Sequence, residues 1–384
     1  MKKICFITTS RADFGTLNEL IKEVIRTKFL VQLIISGSHI DKFFGNTQKE
    51  INIEKKYFIK KVKVIGQNKS SKSVALSFAD CVNKFTKILF RLKPSIFVVY
   101  GDRYEMLAAA VSSYILRIPI VHIAGGEKTP GSIDEGFRHS ISKLANLHFP
   151  TTNAHRKRLI QLGENPKTIF NFGSLHLDKI KNNNYLKKSQ LEKKLKIKFF
   201  KKNLIVTYHP ETISSQKSLQ NLSILLKSLI KIKNTMIIIT SPNADAQGNL
   251  MINYIEKFIR KNKLKNFLFF KSLGSQVYLS LLKIVDGIVG NSSSGISEAP
   301  FFRVGTVNIG DRQQNRATVS GIINCKVSQS SIVKSINKIL NKKFNKKKSN
   351  ELKIFGTGHT SKKITKKLLS FDFKKYNKKV FFDY

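Results

Sequence analysis

The sequence predicts an α/β chain of two doubly wound, Rossmann-like lobes, each an open parallel sheet with helices on both faces. Three observations carry this. Short apolar runs of strand length alternate with stretches of helical spacing along most of the chain. The strands, such as Ile96–Tyr100, are apolar at every position, the pattern of strands covered on both faces. The alternation breaks once, around residues 172–202, and then restarts. A length of 384 residues suits two or three domains at roughly 150 residues each.

Taken in order, Ile4 to Thr8 reads as the first strand. A polar turn follows, then a helix with Leu17, Leu20, Ile21, Val24 and Ile25 at helical spacing. Leu30 to Ile35 is a second strand. Ser73 to Leu92 is helical, with Val74, Leu76, Phe78 and Val82 among its apolar positions, and Pro94 ends it. Strand Ile96–Tyr100, helix Glu105–Leu116, strand Ile118–Ile123 and helix Ile133–Leu144 complete a lobe spanning 1–172. Lys179 to Lys202, rich in Lys and Asn, holds little that must be buried and reads as the connection, 173–202. A second lobe, 203–360, repeats the alternation. Its strands are Leu204–Thr207, Met236–Thr240, Phe267–Phe270, Gly287–Val289 and Val304–Ile309. Its helices are Ser218–Ile232, Leu250–Lys261, Gln276–Ile284 and Ser328–Leu340. Asn341–Lys348 reads as an exposed loop, and Ser361–Leu369 as a helix in a last segment, 361–384.

Composition narrows the function classes. Lys and Arg total 69 against 24 acidic residues, a formal charge of +45. Such a charge raises the question of nucleic acid or an anionic membrane. The split argues for a solvated surface instead, because 57 of the 69 are Lys and 12 are Arg. Arg is the residue that reads bases and phosphates bidentately. The lysines are also scattered along the whole chain, and the residues that rise with them have A/T-rich codons. No apolar run reaches the roughly 18 residues of a membrane span, and the N-terminal apolar stretch is too short for a secretory signal. Cys5, Cys81 and Cys325 are odd in number and far apart, with no C-x-x-C, which suits a reducing cytoplasm.

Ligands of open parallel sheets bind beyond the carboxyl ends of the strands, and the polar motifs fall there. Ser10-Arg11-Ala12-Asp13-Phe14-Gly15 places an Arg at a helix start, which suits a phosphate or a structural salt bridge. No G-x-G-x-x-G follows any strand, so the dinucleotide fingerprint is absent. Gly101-Asp102-Arg103-Tyr104-Glu105 follows a strand, and Asp102 reads as an acid/base group or as a helix N-cap. His122-Ile123-Ala124-Gly125-Gly126-Glu127 and Gly131-Ser132-Ile133-Asp134-Glu135 place carboxylates on neighbouring loops, where they can move protons on one small substrate. Capping by Ser132 and Asp134 is the alternative, and metal ligation is disfavoured by the lack of His-x-x-x-His or a clustered Asp pair. The two glycines before Glu127 are expected to let the backbone approach a sugar. In the second half, Gly290-Asn291-Ser292-Ser293-Ser294-Gly295 ends a strand and opens a short helix, so its amides, hydroxyls and dipole suit a diphosphate. Glu298 beyond it suits ribose hydroxyls, and Asp311-Arg312-Gln313 offers a cation to the same anion.

Together these motifs, with Arg138-His139-Ser140-Ile141-Ser142-Lys143-Leu144, His209-Pro210 and Pro242-Asn243, resemble the UDP-hydrolysing UDP-N-acetylglucosamine 2-epimerase family of sialic-acid and legionaminic-acid pathways. The resemblance runs in order over about 300 residues. It implies a glycosyltransferase B type of fold, with the C-terminal helix returning to the first lobe. It also implies elimination of UDP from carbon 1 after proton removal at carbon 2, then hydration to free UDP and the inverted 2-acetamido sugar. By this resemblance Asp102, Glu127 and Asp134 are the catalytic candidates. Arg11, Arg103, His209, Asn243, Ser292, Ser293, Glu298 and Arg312 are the UDP candidates. No metal or other cofactor is implied. Ala124 departs from the pattern, because several members carry Glu two residues after the matching His. The expected substrate is UDP-N-acetylglucosamine, released as N-acetylmannosamine, or alternatively a UDP-2,4-diacetamido-2,4,6-trideoxyglucose. A homo-oligomer, dimer or tetramer, is expected, without nucleic-acid or membrane partners. A UDP-sugar glycosyltransferase of the same fold is the rival enzyme class.

Overall fold

The computed structural model describes residues 2–40, 51, 58–64, 70–129, 132–210, 217–242, 247–313, 319–341, 344 and 350–383. The first sheet contains β1 (Lys3–Thr8), β2 (Leu30–Ile35), β3 (Phe58–Lys61), β4 (Ile96–Tyr100), β5 (Ile120–Ile123) and β6 (Leu147–Phe149). Its order is β3-β2-β1-β4-β5-β6, and every pairing is parallel. Its helices are α1 (Arg11–Ile25), α2 (Ser71–Leu92), α3 (Tyr104–Ile115), α4 (Asp134–Leu144) and α5 (Asn153–Gln161). Two further helices follow, α6 (Leu175–Asn182) and α7 (Lys188–Leu195).

The second sheet contains β7 (Lys202–Thr207), β8 (Thr235–Thr240), β9 (Phe267–Phe270), β10 (Gly287–Gly290), β11 (Gly305–Ile309) and β12 (Ile322–Cys325). Its order, β12-β11-β10-β7-β8-β9, repeats the winding of the first. Between and after these strands lie α8 (Ser218–Ile230), α9 (Gly248–Lys261), α10 (Gly274–Leu281), the single turn α11 (Ser294–Ser297), α12 (Gln329–Ile339) and α13 (Thr360–Ser370).

Successive strand residues point to opposite faces, and here both faces are dry. On β1, Ile4 and Phe6 enter one core while Cys5 and Ile7 enter another. On β7, Leu204 and Val206 enter one core and Ile205 the other. This is why the central strands carry no polar alternation. The chain end returns to the first lobe. Ile364 and Leu368 of α13, with Phe371, lie in the same core as Leu17 and Leu20 of α1. Asp178 of α6 caps α13 through the amides of Thr360 (3.1 Å) and Ser361 (2.6 Å). The tail then crosses the edge of the first sheet, where the Phe382 amide donates to the Gly163 carbonyl at 3.0 Å. Lys379 reaches the buried Glu164, which also meets Lys143 and His148, each at 2.9 Å.

Several expectations need correction. The stretch read as a bare connection forms α6 and α7, and it buries Leu177 and Leu191. Leu191 packs in the second-lobe core with Ile205 and Ile238. Strands β3, β6 and β12 and helix α5 were not expected from the sequence. Most of the expected loop Asn341–Lys348 lies outside the described residues. Among the described residues no helix is long and apolar enough to cross a membrane.

Candidate active site

In each sheet the strand order reverses at one point, between β1 and β4 in the first lobe and between β7 and β10 in the second. Helices leaving such neighbours go to opposite faces, so a crevice opens beyond the strand ends. The two crevices face each other across one cavity of about 320 Å³, lined by both lobes.

On the first wall, Asp13 fixes the loop after β1. It accepts from the amides of Thr9 (3.0 Å) and Ser10 (2.9 Å) and from the Thr8 hydroxyl. Burial opposes its charge, but His39, Thr8 and Thr9 outweigh that and hold its carboxyl below the usual range. So braced, the turn sends Arg11 into the cavity, where its guanidinium donates across the cleft to the Ser272 hydroxyl. Asp102 does not cap α3, because Arg103 takes that position. Instead Asp102 meets Arg138 of α4, a guanidinium only 1 % exposed. Arg138 also donates to the Glu127 carbonyl (3.1 Å), Glu135 (3.1 Å) and the Thr129 hydroxyl (2.9 Å). One cation thus ties the loops that carry Asp102 and Glu127 to the helix that Asp134 begins. Asp134 accepts from the Ser132 hydroxyl at 2.7 Å and lines the cavity, whereas the adjacent Glu135 turns to Thr129, Arg138 and His139. Arg103 lines the cavity while its guanidinium holds Glu105 at 3.1 and 3.2 Å.

Packing requires both glycines before Glu127. A Cβ on Gly125 would stand 2.9 Å from both His122 Nδ1 and Ser142 Oγ. One on Gly126, at φ +80°, would stand 2.5 Å from the His155 carbonyl. Glu127 emerges from this pinched turn into the cavity. Its charge reaches both Arg138 and Tyr100. Ala124, with φ +64°, lines the cavity beside it.

On the second wall, Asn291 is the organiser. Its side chain accepts from the His209 amide at 2.6 Å and donates to the His209 carbonyl at 2.9 Å. Its own carbonyl accepts from Arg312 (3.3 Å) and Gln313 (2.9 Å). Gly290 has φ +136°, and a Cβ there would lie 1.9 Å from the Thr207 carbonyl, so only glycine fits. Ser292 and Ser293 then face the cavity. The helix they open is a single turn, too short for much of a macrodipole. His209 is buried, and burial together with Arg312 and Arg103 pushes its pKa well below the usual value. It therefore lines the cavity as a neutral imidazole.

Ten of the eleven residues singled out in the sequence line this one cavity; Asn243 lies outside the described residues. The sequence reading missed His176, Lys179 and Tyr278, which line it as well, and it assigned Arg138 no role. Arg138 stood inside a quoted motif, and Tyr278 lies within α10, in a stretch read only as helix. Lys179 carried no signal that set it apart from the other lysines around it.

With this geometry in place, comparison with known proteins is informative. The family model described as UDP-N-acetylglucosamine 2-epimerase matches residues 22–369. The chain belongs to this family. A Campylobacter jejuni relative, GDP/UDP-N,N'-diacetylbacillosamine 2-epimerase (hydrolyzing), is 42% identical over 85% of this chain and 85% of its own. A Legionella pneumophila UDP-N,N'-diacetylbacillosamine 2-epimerase (hydrolyzing) is 32% identical over 94% of each chain. Among solved structures, a Methanocaldococcus jannaschii UDP-GlcNAc 2-epimerase in complex with UDP-GlcNAc and UDP has a TM-score of 0.79 at 19% identity. That likeness covers 96% of this chain and 100% of the other. It bears on the fold alone, two Rossmann-like lobes of the glycosyltransferase B type.

Proposed function

We propose that this 2-epimerase family member is a hydrolysing enzyme acting on a UDP-linked 2-acetamido sugar. The observation that carries the reading is a wall of carboxylates, Asp102, Glu127 and Asp134, facing a hydroxyl- and amide-lined anion cradle across one cavity. Neutral His209, Ser292, Ser293 and Arg312 hold the diphosphate, and Arg11 meets it from the first lobe. A carboxylate takes the proton from carbon 2 while the bond from carbon 1 to the UDP oxygen breaks, leaving a carbon 1–carbon 2 double bond. Water then adds its oxygen to carbon 1 as a second carboxylic acid gives a proton to the opposite face of carbon 2; the proton shed by the water restores that acid, and the proton first taken from carbon 2 passes to solvent as UDP leaves. Splitting the two proton transfers between two groups is what inverts the centre. Arg138 keeps Asp102 and the Glu127 loop in register for both steps.

The sugar proposed is 2,4-diacetamido-2,4,6-trideoxyglucose, that is N,N'-diacetylbacillosamine, in preference to N-acetylglucosamine. The two relatives described above carry that substrate in their names. Ala124 supports it, since a methyl group stands in the cavity where members of the family place a carboxylate. A place in sialic-type acid synthesis goes with either sugar.

The test is an NMR time course in deuterated water, without acceptor, using both UDP-sugars in parallel. UDP should appear together with a free 2-epimer carrying deuterium at carbon 2, and faster from the diacetamido sugar. Retention of the original hydrogen would sink the elimination. Release of UDP only when an acceptor sugar is added would favour the glycosyltransferase reading.

A further inference from the structure

We propose that Lys179 is a positioning residue for nucleoside recognition, fixing the Glu298 carboxylate of the second lobe so that it reads ribose hydroxyls. The proposal rests on the cavity being a UDP site. Glu298 is 4 % exposed, in a wall where water competes little. Its Oε1 sits 2.7 Å from Lys179 Nζ and 3.5 Å from His176 Nδ1. Its Oε2 accepts from the Ser294 hydroxyl at 2.6 Å, and Ser294 is itself 2.7 Å from the Tyr278 hydroxyl. A carboxylate has about four acceptor sites, so one partner on each oxygen pins the group and leaves the rest for a ligand. All five of these residues line the cavity.

The cation comes from the other lobe. Helix α6, which carries Lys179, packs on α1 and α13 of the first lobe. Asn182 of α6 also donates to Glu19 of α1 at 2.6 Å. Glu298 lies beyond β10 of the second sheet. Burial works against a charge on Glu298, but Lys179 and then His176 outweigh it and hold the carboxyl well below its usual range. Without Lys179, a buried carboxylate would lose its nearest counter-charge and one of its two anchors. Ribose reading by the second lobe therefore depends on a side chain that the first lobe delivers.

A plain interlobe salt bridge, or a direct attraction of Lys179 for phosphate, would give the same picture but a different response. Calorimetric titration of the wild type, Lys179→Met and Lys179→Arg with UDP and with 2′,3′-dideoxy-UDP separates them. The wild type should prefer UDP. Lys179→Met should weaken UDP by roughly tenfold or more, the size of a charge-assisted hydrogen bond. The same variant should leave dideoxy-UDP within about twofold, because no hydroxyl remains for Glu298 to read. Lys179→Arg should keep most of the preference. Equal losses for both nucleotides, or no loss for UDP, would overturn the proposal while leaving the UDP site intact. A wild type that does not bind UDP would overturn both. If Lys179→Met does not fold, the same pair of titrations on Lys179→Gln decides, with the same expected and overturning results.

Discussion

Asp102 serves two neighbours at once. In the proposed reaction it offers the substrate a carboxylate at the end of β4, and to Arg138 it is a counter-ion. A guanidinium that is almost fully buried is costly to leave unpaired, so the two roles can be separated by changing charge without changing shape. Asp102→Asn should leave UDP binding nearly intact while turnover falls by a factor on the order of hundreds. It should also lower stability by about 1–3 kcal/mol, as Arg138 loses a charged acceptor. Titration calorimetry, the NMR assay and thermal melting read the three quantities apart. Loss of UDP binding together with turnover would make Asp102 a positional residue only. At this scale the sequence was informative wherever function sits on a short local motif. Asp102, Glu127 and Ser292 each follow an apolar strand and a glycine, which is visible in a few residues. Lys179 was not visible, because its partner Glu298 is 119 residues away. Its neighbours are also lysines and asparagines facing water, and nothing local distinguishes a lysine that crosses a cleft from one that solvates a surface.

The junction of β4, β5 and α4 is held by one imidazole. His122 on β5 is fully buried; its Nε2 lies 2.9 Å from the Gly101 carbonyl after β4, and its Nδ1 lies 3.0 Å from Ser142 of α4. A carbonyl only accepts, so the ring proton sits on Nε2. Burial pushes the ring pKa from 6.5 down to about 3. Between those two values the unfolded chain binds a proton that the folded chain refuses, so stability falls as pH falls through this window and is complete above 6.5. The buried rings of His148 and His209 shift in the same direction. Melting temperature should therefore decline steadily below pH 6.5, and His122→Gln should make the slope shallower while lowering stability at neutral pH. A slope unchanged in His122→Gln would show that the junction does not titrate this way. Central elements were legible because β1, β4, β7 and β8 each carry an unbroken apolar run. The edge strands were not. All four residues of β3 are exposed, and β6 has only three residues, so neither carries a pattern. Helix α7 was read as solvated because its only fully buried residue is Leu191; a pair of leucines among lysines acquires meaning only when the core they enter is seen.

Across the whole molecule the two sheets are wound alike, yet the chain divides them unequally. The second lobe is built from one continuous stretch, whereas the first needs residues from both ends of the chain. Removing residues 360–384 should therefore leave the second sheet protected in hydrogen exchange. It should also expose the Leu17 and Leu20 face of α1, where Ile364, Leu368 and Phe371 pack. At roughly 1.5–3 kcal/mol for each large apolar side chain, that loss is a sizeable part of the 5–15 kcal/mol by which domains are usually stable. Equal protection of the first sheet in the truncated and full-length chains would show that α13 is dispensable. The return of α13 also sets an order of events during synthesis. At roughly 5–20 residues per second, the second lobe has all its strands while α13 and the tail that meets Glu164 are still inside the ribosome. The lobe that emerges first is the one that must wait. Its α1 face stays uncovered until α13 arrives, and a chaperone binding the nascent chain would find an apolar target there.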